Sequence, residues 1–186
     1  NREKGASNWL TTLPIEDKGF YLNKREFWDA LQLRYRWPIP RLPTTCACGA
    51  KFDIAHAMSC KKGGFVSIRH NELRNLTANL LSEVCYDVSV EPQLNELTGE
   101  KFKLRSANSS NEGRLDIAAR GVWSKYQRAF FDVRVFDPLA RRYKDQSLTQ
   151  SYLTNEREKK RSYNQRILDI ENGTFSPLVF SVYGGM

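Results

Sequence analysis

Two aspartates, Asp116 and Asp132, stand inside stretches that otherwise read as buried strand, RLDIAA and AFFDVRVF. A carboxylate among apolar neighbours is costly unless a cation holds it. Strand alternation puts Leu115, Ile117 and Ala119 on one face and Asp116 on the other. In the second stretch Phe131, Val133 and Val135 share a face, with Asp132 and Arg134 side by side on the opposite one. If the two strands pair as a hairpin, the carboxylates converge. Two converging carboxylates suit a hard divalent cation such as Mg²⁺ or Mn²⁺; without one, each raises the other's pKa. The competing reading is structural, with Arg114, Arg120 or Arg134 neutralising each aspartate.

A second constellation precedes the pair. Cys46, Cys48, His56 and Cys60 read C-x-C-x7-H-x3-C, three thiolates and an imidazole, which is a tetrahedral zinc set. His56 and Cys60 are spaced to share one helical turn. The x1 spacing is tighter than the common C-x2-C, and buried free cysteines with a core histidine remain the alternative. A disulfide is not expected, since the chain shows no secretory signal. Cys85, at the end of a leucine-striped segment, reads as a small core residue.

Several elements must position these groups. Trp28, Leu31 and Tyr35 recur at helical spacing after NKREFW, and Pro38, Pro40 and Pro43 end that helix. The segment RHNELRNLTANLLSEV sets Leu73, Leu76, Leu80 and Val84 on one stripe, predicting an amphipathic helix. DVSVEPQL alternates and then meets Pro92, which suits an edge strand. TGEKFKLRSANSSNEG reads as a loop or a poorly formed hairpin. From about Ser147 to Asn172 a long charged helix is expected, with Gly173 as its stop, followed by a buried strand, PLVFSVYGG. The order is helix, Cys/His segment, helix, three strands, helix, strand. It predicts an α/β fold: a small mixed β-sheet flanked by helices, with an N-terminal helical segment over 1–43, a zinc knuckle over 44–64 and the core over 65–186.

Composition narrows the partner. The 186 residues are 40% hydrophobic and 12% aromatic, enough for one domain with an appended module. A net charge of +8 and a pI near 9.4 point to an anionic partner, nucleic acid first. No apolar run is long enough to span a bilayer, so no membrane role is expected. The chain begins at Asn1 without a methionine, and is expected to be a piece of a longer polypeptide.

The motifs also fall in a telling succession: CACG…HAMSC, GG, RHN, VEP, RLDIAA, FFDVRV. This order, from Cys46 to Tyr163, resembles the restriction-like endonuclease domain of site-specific non-LTR retrotransposons, a branch of the PD-(D/E)XK nuclease superfamily, with its preceding CCHC zinc knuckle. The resemblance implies a restriction-endonuclease-like core. It also implies an Mg²⁺- or Mn²⁺-dependent DNA endonuclease that nicks target DNA so that the exposed 3′ hydroxyl primes reverse transcription. The knuckle's zinc is then structural. The implied partners are target DNA and, as a second candidate, the element's RNA; a reverse transcriptase region is expected upstream and a nuclear location follows.

Residue by residue, the resemblance makes Asp116 and Asp132 the catalytic carboxylates and metal ligands. There are two departures. Leu115 stands where the family has proline before the first aspartate, and Arg134 where the wider superfamily has lysine. In the retrotransposon branch the lysine comes from the following helix in a Lys-x-x-x-Tyr setting. KKRSY supplies it here as Lys159, four residues before Tyr163 on the same helical face, with Lys160 as the neighbour that can substitute. Arg69, His70 and Asn71 are placed near the site, Arg69 to bind a phosphate and His70 to orient a carboxylate or water; capping of the helix start is their alternative. Glu91 of VEP lies next to the metal, and Glu83 is a lesser candidate. Lys101, Lys103, Arg105, Trp123, Lys125 and Arg128 are groove-lining candidates for DNA, joined by Arg134, Lys160 and Tyr163. Two rivals stand beside this reading: a catalytically inactive nuclease fold kept for nucleic-acid binding, and a zinc-stabilised protein-interaction domain.

Overall fold

The computed structural model describes residues 8–19, 21–35, 37–62, 65–95 and 113–186. Its order is α1 (Lys24–Tyr35), α2 (Ile54–Ser59), α3 (Phe65–Ser82), β1 (Tyr86–Val90), β2 (Ile117–Arg120), β3 (Arg128–Phe136), α4 (Leu148–Ile170) and β4 (Thr174–Ser181). The architecture is mixed α/β. One four-stranded sheet runs β1-β2-β3-β4, antiparallel from β1 to β3 and parallel between β3 and β4. A parallel neighbour requires a crossover, and α4 supplies it. No described helix is long and apolar enough to cross a membrane. Most of TGEKFKLRSANSSNEG, with Lys101, Lys103 and Arg105, lies outside the described residues.

Each sheet face has its own helix. Under α3, Ala78 packs with Ile117, Ala129 and Phe131. Under α4, Ile167 packs with Leu115, Ala118, Phe130 and Phe175, and Tyr163 closes the cluster. The expected common face of Leu115 and Ile117 is therefore incorrect. The chain bends at Asp116, ahead of β2, and sends Leu115 under α4 while Ile117 goes under α3. The α3 stripe also differs from expectation. Ala78 is buried and Leu73, Thr77 and Leu81 are half-buried, whereas Leu76, Leu80 and Val84 are exposed. Ala78 packs directly with Ile117, Ala129 and Phe131, and Leu81 is partly buried against the same cluster.

The signals at the ends of α4 are local. Ser147 accepts from the Gln150 N–H while the Gln150 side chain accepts from the Ser147 N–H, a capping box. At the other end Glu171 is the C-cap and Asn172, not Gly173, takes the left-handed conformation, with φ of 50°. Gly173 is required for another reason: a Cβ there would lie 2.7 Å from the Arg128 carbonyl oxygen and 2.9 Å from the Phe130 ring. Pro177 falls within β4, which is tolerable because β4 is an edge strand. In α1, Trp28 and Tyr35 remain exposed and stack around Trp37, while Gln32 is buried and donates to the Pro38 carbonyl.

Candidate active site and metal centre

The aspartates meet across the hairpin. β2 pairs with β3 through Ile117 opposite Phe131 and Ala118 opposite Phe130, so one further step sets position 116 against 132. There the ladder changes hands. The Asp116 N–H still donates to the Phe131 carbonyl, at 3.1 Å, but the Val133 N–H donates to the Asp116 carboxylate, at 2.6 Å. The other carboxylate oxygen of Asp116 lies 3.0 Å from His70 Nε2, on α3. Asp132 is 6% exposed and is ion-paired with Lys159 of α4. Each aspartate is thus held by a cation-capable group from a different helix.

Electrostatics mark Asp132. Burial pushes its carboxyl up to about 6; Lys159 opposes that shift and Asp116 adds to it. Tyr163 is pushed up to about 12, first by burial and then by Asp132 and Asp116. Lys159 Nζ sits 5.9 Å from the Tyr163 ring centroid, over the ring. Lys160 points elsewhere: it is exposed and pairs with Glu156 at 3.7 Å. Between the two lysines, only Lys159 faces the carboxylates.

Arg134 lies on the Asp132 face, and its Nε donates to Asn155 Oδ1 at 3.2 Å. Asn155 is fully buried. It also accepts from the Tyr143 hydroxyl at 3.0 Å and donates to the Ser151 carbonyl at 2.8 Å. Arg134 can only donate, so the orientation of the amide is fixed. Sequence reasoning missed Asn155. A signal existed, because Ser151, Asn155, Lys159, Tyr163 and Ile167 form one i, i+4 row down α4.

Other candidates are placed differently. Glu91 has a φ of 51°, its N–H donates to the Asp116 carbonyl at 2.9 Å, and its half-exposed carboxylate is paired with Arg74 and lies 3.7 Å from Arg114. Its backbone therefore meets the site while its carboxylate is engaged by arginines. Arg69 donates to the Met58 carbonyl at 3.0 Å, tying α2 to α3 instead of facing the aspartates. Burial lowers its pKa, and Asp137 opposes that. Because α3 begins at Phe65, Arg69 and His70 are in its second turn and do not cap it. Asn71 is exposed, and Glu83 is thirteen residues beyond His70, about 20 Å along the helix axis. Lys125 and Arg128 stand at the turn end of the β2–β3 hairpin, and Arg128 donates to the Ser89 hydroxyl at 3.2 Å. The Arg105 assignment falls outside the described residues.

The Cys/His segment folds into a cluster. A turn at 46–49 needs the left-handed Gly49, with φ of 88°, and brings Cys46 and Cys48 together. Asp53 caps α2 by accepting the His56 N–H at 2.6 Å, and the Cys60 N–H closes the turn on the His56 carbonyl at 2.8 Å. The ligand atoms of Cys46, Cys48, His56 and Cys60 all lie within 4.8 Å of one another, a group that could hold a metal ion. Cys46 Sγ is 3.7 Å from Cys60 Sγ, and Cys48 Sγ is 3.3 Å from His56 Nε2. Tetrahedral zinc with ordinary bond lengths places such pairs about 3.8 and about 3.6 Å apart, so the set is compatible with zinc. A Cys48 backbone N–H favours the Cys46 thiolate, but desolvation and the Cys48 and Cys60 sulfurs outweigh it and push the thiol up. Crowded thiols of this kind are relieved by a cation.

The carboxylate pair is a sparser donor set. Among the described residues, only the Cys/His cluster gathers three or more His, Cys, Asp or Glu side chains into a group that could hold a metal ion. Asp116 and Asp132 fit in kind a cation that keeps most of its waters and binds through one or two carboxylates. Comparison of the sequence with protein-family models and with curated proteins finds no match to either.

Proposed function

We propose that this chain is a metal-dependent DNA endonuclease domain of the restriction-like type, with a structural zinc knuckle attached, nicking target DNA for a retroelement in the nucleus beside its reverse transcriptase region. One observation carries the reading: Asp116 and Asp132 meet at a strand end, with His70 on the first and Lys159 on the second. Asp116 and Asp132 would hold the Mg²⁺ or Mn²⁺, which when bound lowers the pKa of a water and offsets charge on the scissile phosphate. The chain's own groups have separate tasks. His70 orients Asp116. Lys159, a compact cation, stabilises charge developing on the phosphate. Arg134, held by Asn155, binds a neighbouring phosphate. Cys46, Cys48, His56 and Cys60 hold zinc, and Arg69 joins that module to the helix carrying His70.

The test is nicking of supercoiled plasmid by purified protein with and without magnesium, repeated with Asp116→Ala and Asp132→Ala. Magnesium-dependent conversion to open circles, lost in both variants, is the expected result. Absence of nicking alongside salt-sensitive DNA binding favours the inactive nuclease fold. One observation supports that rival: Lys159 already occupies the Asp132 carboxylate, and no third side-chain ligand joins the pair among the described residues.

A further inference from the structure

The turn that joins β2 to β3 combines rigidity with exposed aromatic surface. Gly121, with φ of 91°, leaves no room for a side chain, since a Cβ would lie 2.8 Å from the Tyr86 ring. Its N–H donates to the Gln127 carbonyl at 3.2 Å, and the Gln127 N–H donates to Ser124 at 3.2 Å. Arg120 braces the turn from β2, donating to the Tyr126 carbonyl and to Asp87, each at 3.1 Å. Val122 is half-buried and packs against the cluster beneath α3. The next residue, Trp123, is nevertheless 65% exposed, and Tyr126 is 76% exposed. No described ring packs on Trp123. Lys125 lies over Tyr126, its Nζ 5.6 Å from the ring centroid. From Ile117 to Phe131 the charged residues are Arg120, Lys125 and Arg128, all basic.

We propose that this tip is a base-stacking contact, with Trp123 lying against a base that is unstacked or unpaired in the bound nucleic acid while Lys125 meets an adjacent phosphate. The inference rests on the nucleic-acid reading above and adds a site and a distance to it. A rigid turn presents an indole without the entropy cost of ordering a loop on binding, and stacking accepts any base. Arg128 is four residues from Asp132 along β3, about 13 Å at strand rise. The contacted base therefore lies more than about 13 Å from the carboxylates, since Trp123 is farther along the hairpin than Arg128.

The experiment uses duplexes carrying one 2-aminopurine, moved position by position on each strand, bound to zinc-loaded protein in buffer without magnesium. Its fluorescence should rise at the one or two positions flanking the contacted base, which lose a stacking neighbour when that base moves onto the indole. Trp123→Ala should abolish that rise and weaken binding roughly 5- to 150-fold, the range that one stacked base supplies. Trp123→Phe should retain much of both, and all three proteins should melt together because the side chain is exposed. A flat scan, a rise that survives in Trp123→Ala, or no DNA binding overturns the proposal. Nicking on the same duplexes with magnesium separates the two readings. Nicking with a flat scan removes the tip alone, and a Trp123-dependent rise without nicking removes the nuclease alone.

Discussion

Replacing Asp132 by asparagine should stabilise the magnesium-free protein above neutral pH and leave its stability unchanged in acid. Asp132 is 6% exposed with the Asp116 carboxylate beside it, and its folded pKa stands near 6 against about 3.8 in the unfolded chain. Since that value is raised, the folded state binds the extra proton between about pH 4 and 6, and stability falls as pH rises through that window. Two units correspond to about 3 kcal/mol at most. Lys159 loses its partner in the variant, but at 23% exposure it can turn toward water, so a net gain of about 1–3 kcal/mol is expected. In a chain of this size that is roughly 3–10 °C in Tm. The assay is urea and thermal unfolding of both proteins at steps from pH 4 to 8, with zinc present and magnesium absent. The stability difference should be near zero at pH 4, grow through pH 6 and level off by about pH 7. A variant that is less stable at every pH would show that Asp132–Lys159 is a structural salt bridge, and the argument from buried, mutually repelling carboxylates would fail.

The other predictions address the remaining parts. Lys159→Ala should slow nicking a few hundredfold, about 2–4 kcal/mol, with little change in DNA affinity, whereas Arg134→Ala should mainly weaken binding in a titration; the reverse outcome would move the catalytic cation to Arg134. Cys60→Ser should lose zinc by metal analysis and lower the Tm, and unchanged metal content would contradict the knuckle. Gly173→Ala should cost about 1–3 kcal/mol in urea unfolding, because its Cβ meets backbone at Arg128 and cannot be relieved by a side-chain rotation.

What the chain's sequence determines by itself is local and periodic. Alternation alone puts Asp132 and Arg134 on one strand face, because successive side chains point to opposite sides. The i, i+4 spacing alone puts Lys159 on the same row as Tyr163, and Ser147 with Gln150 marks where α4 begins. The Cys/His spacing brings its four ligands together through one turn and one short helix, without help from the sheet. Tertiary structure decides everything that joins separate elements. His70 reaches Asp116 across forty-six residues only because α3 lies against that face of the sheet. Ala78 goes inward on α3 where Leu76, Leu80 and Val84 were expected, because the way α3 lies on Ile117, Ala129 and Phe131 sets which of its residues face the sheet, which hydrophobicity along a helix does not report. Leu115 and Ile117 part company at the bend on Asp116, where the carboxylate accepts the Val133 N–H, and strand alternation cannot foresee such a bend. Lys159 and Lys160 are chemically equivalent in the sequence. The packing of Tyr163 and Ile167 under α4 rotates one toward Asp132 and leaves the other on the exposed face.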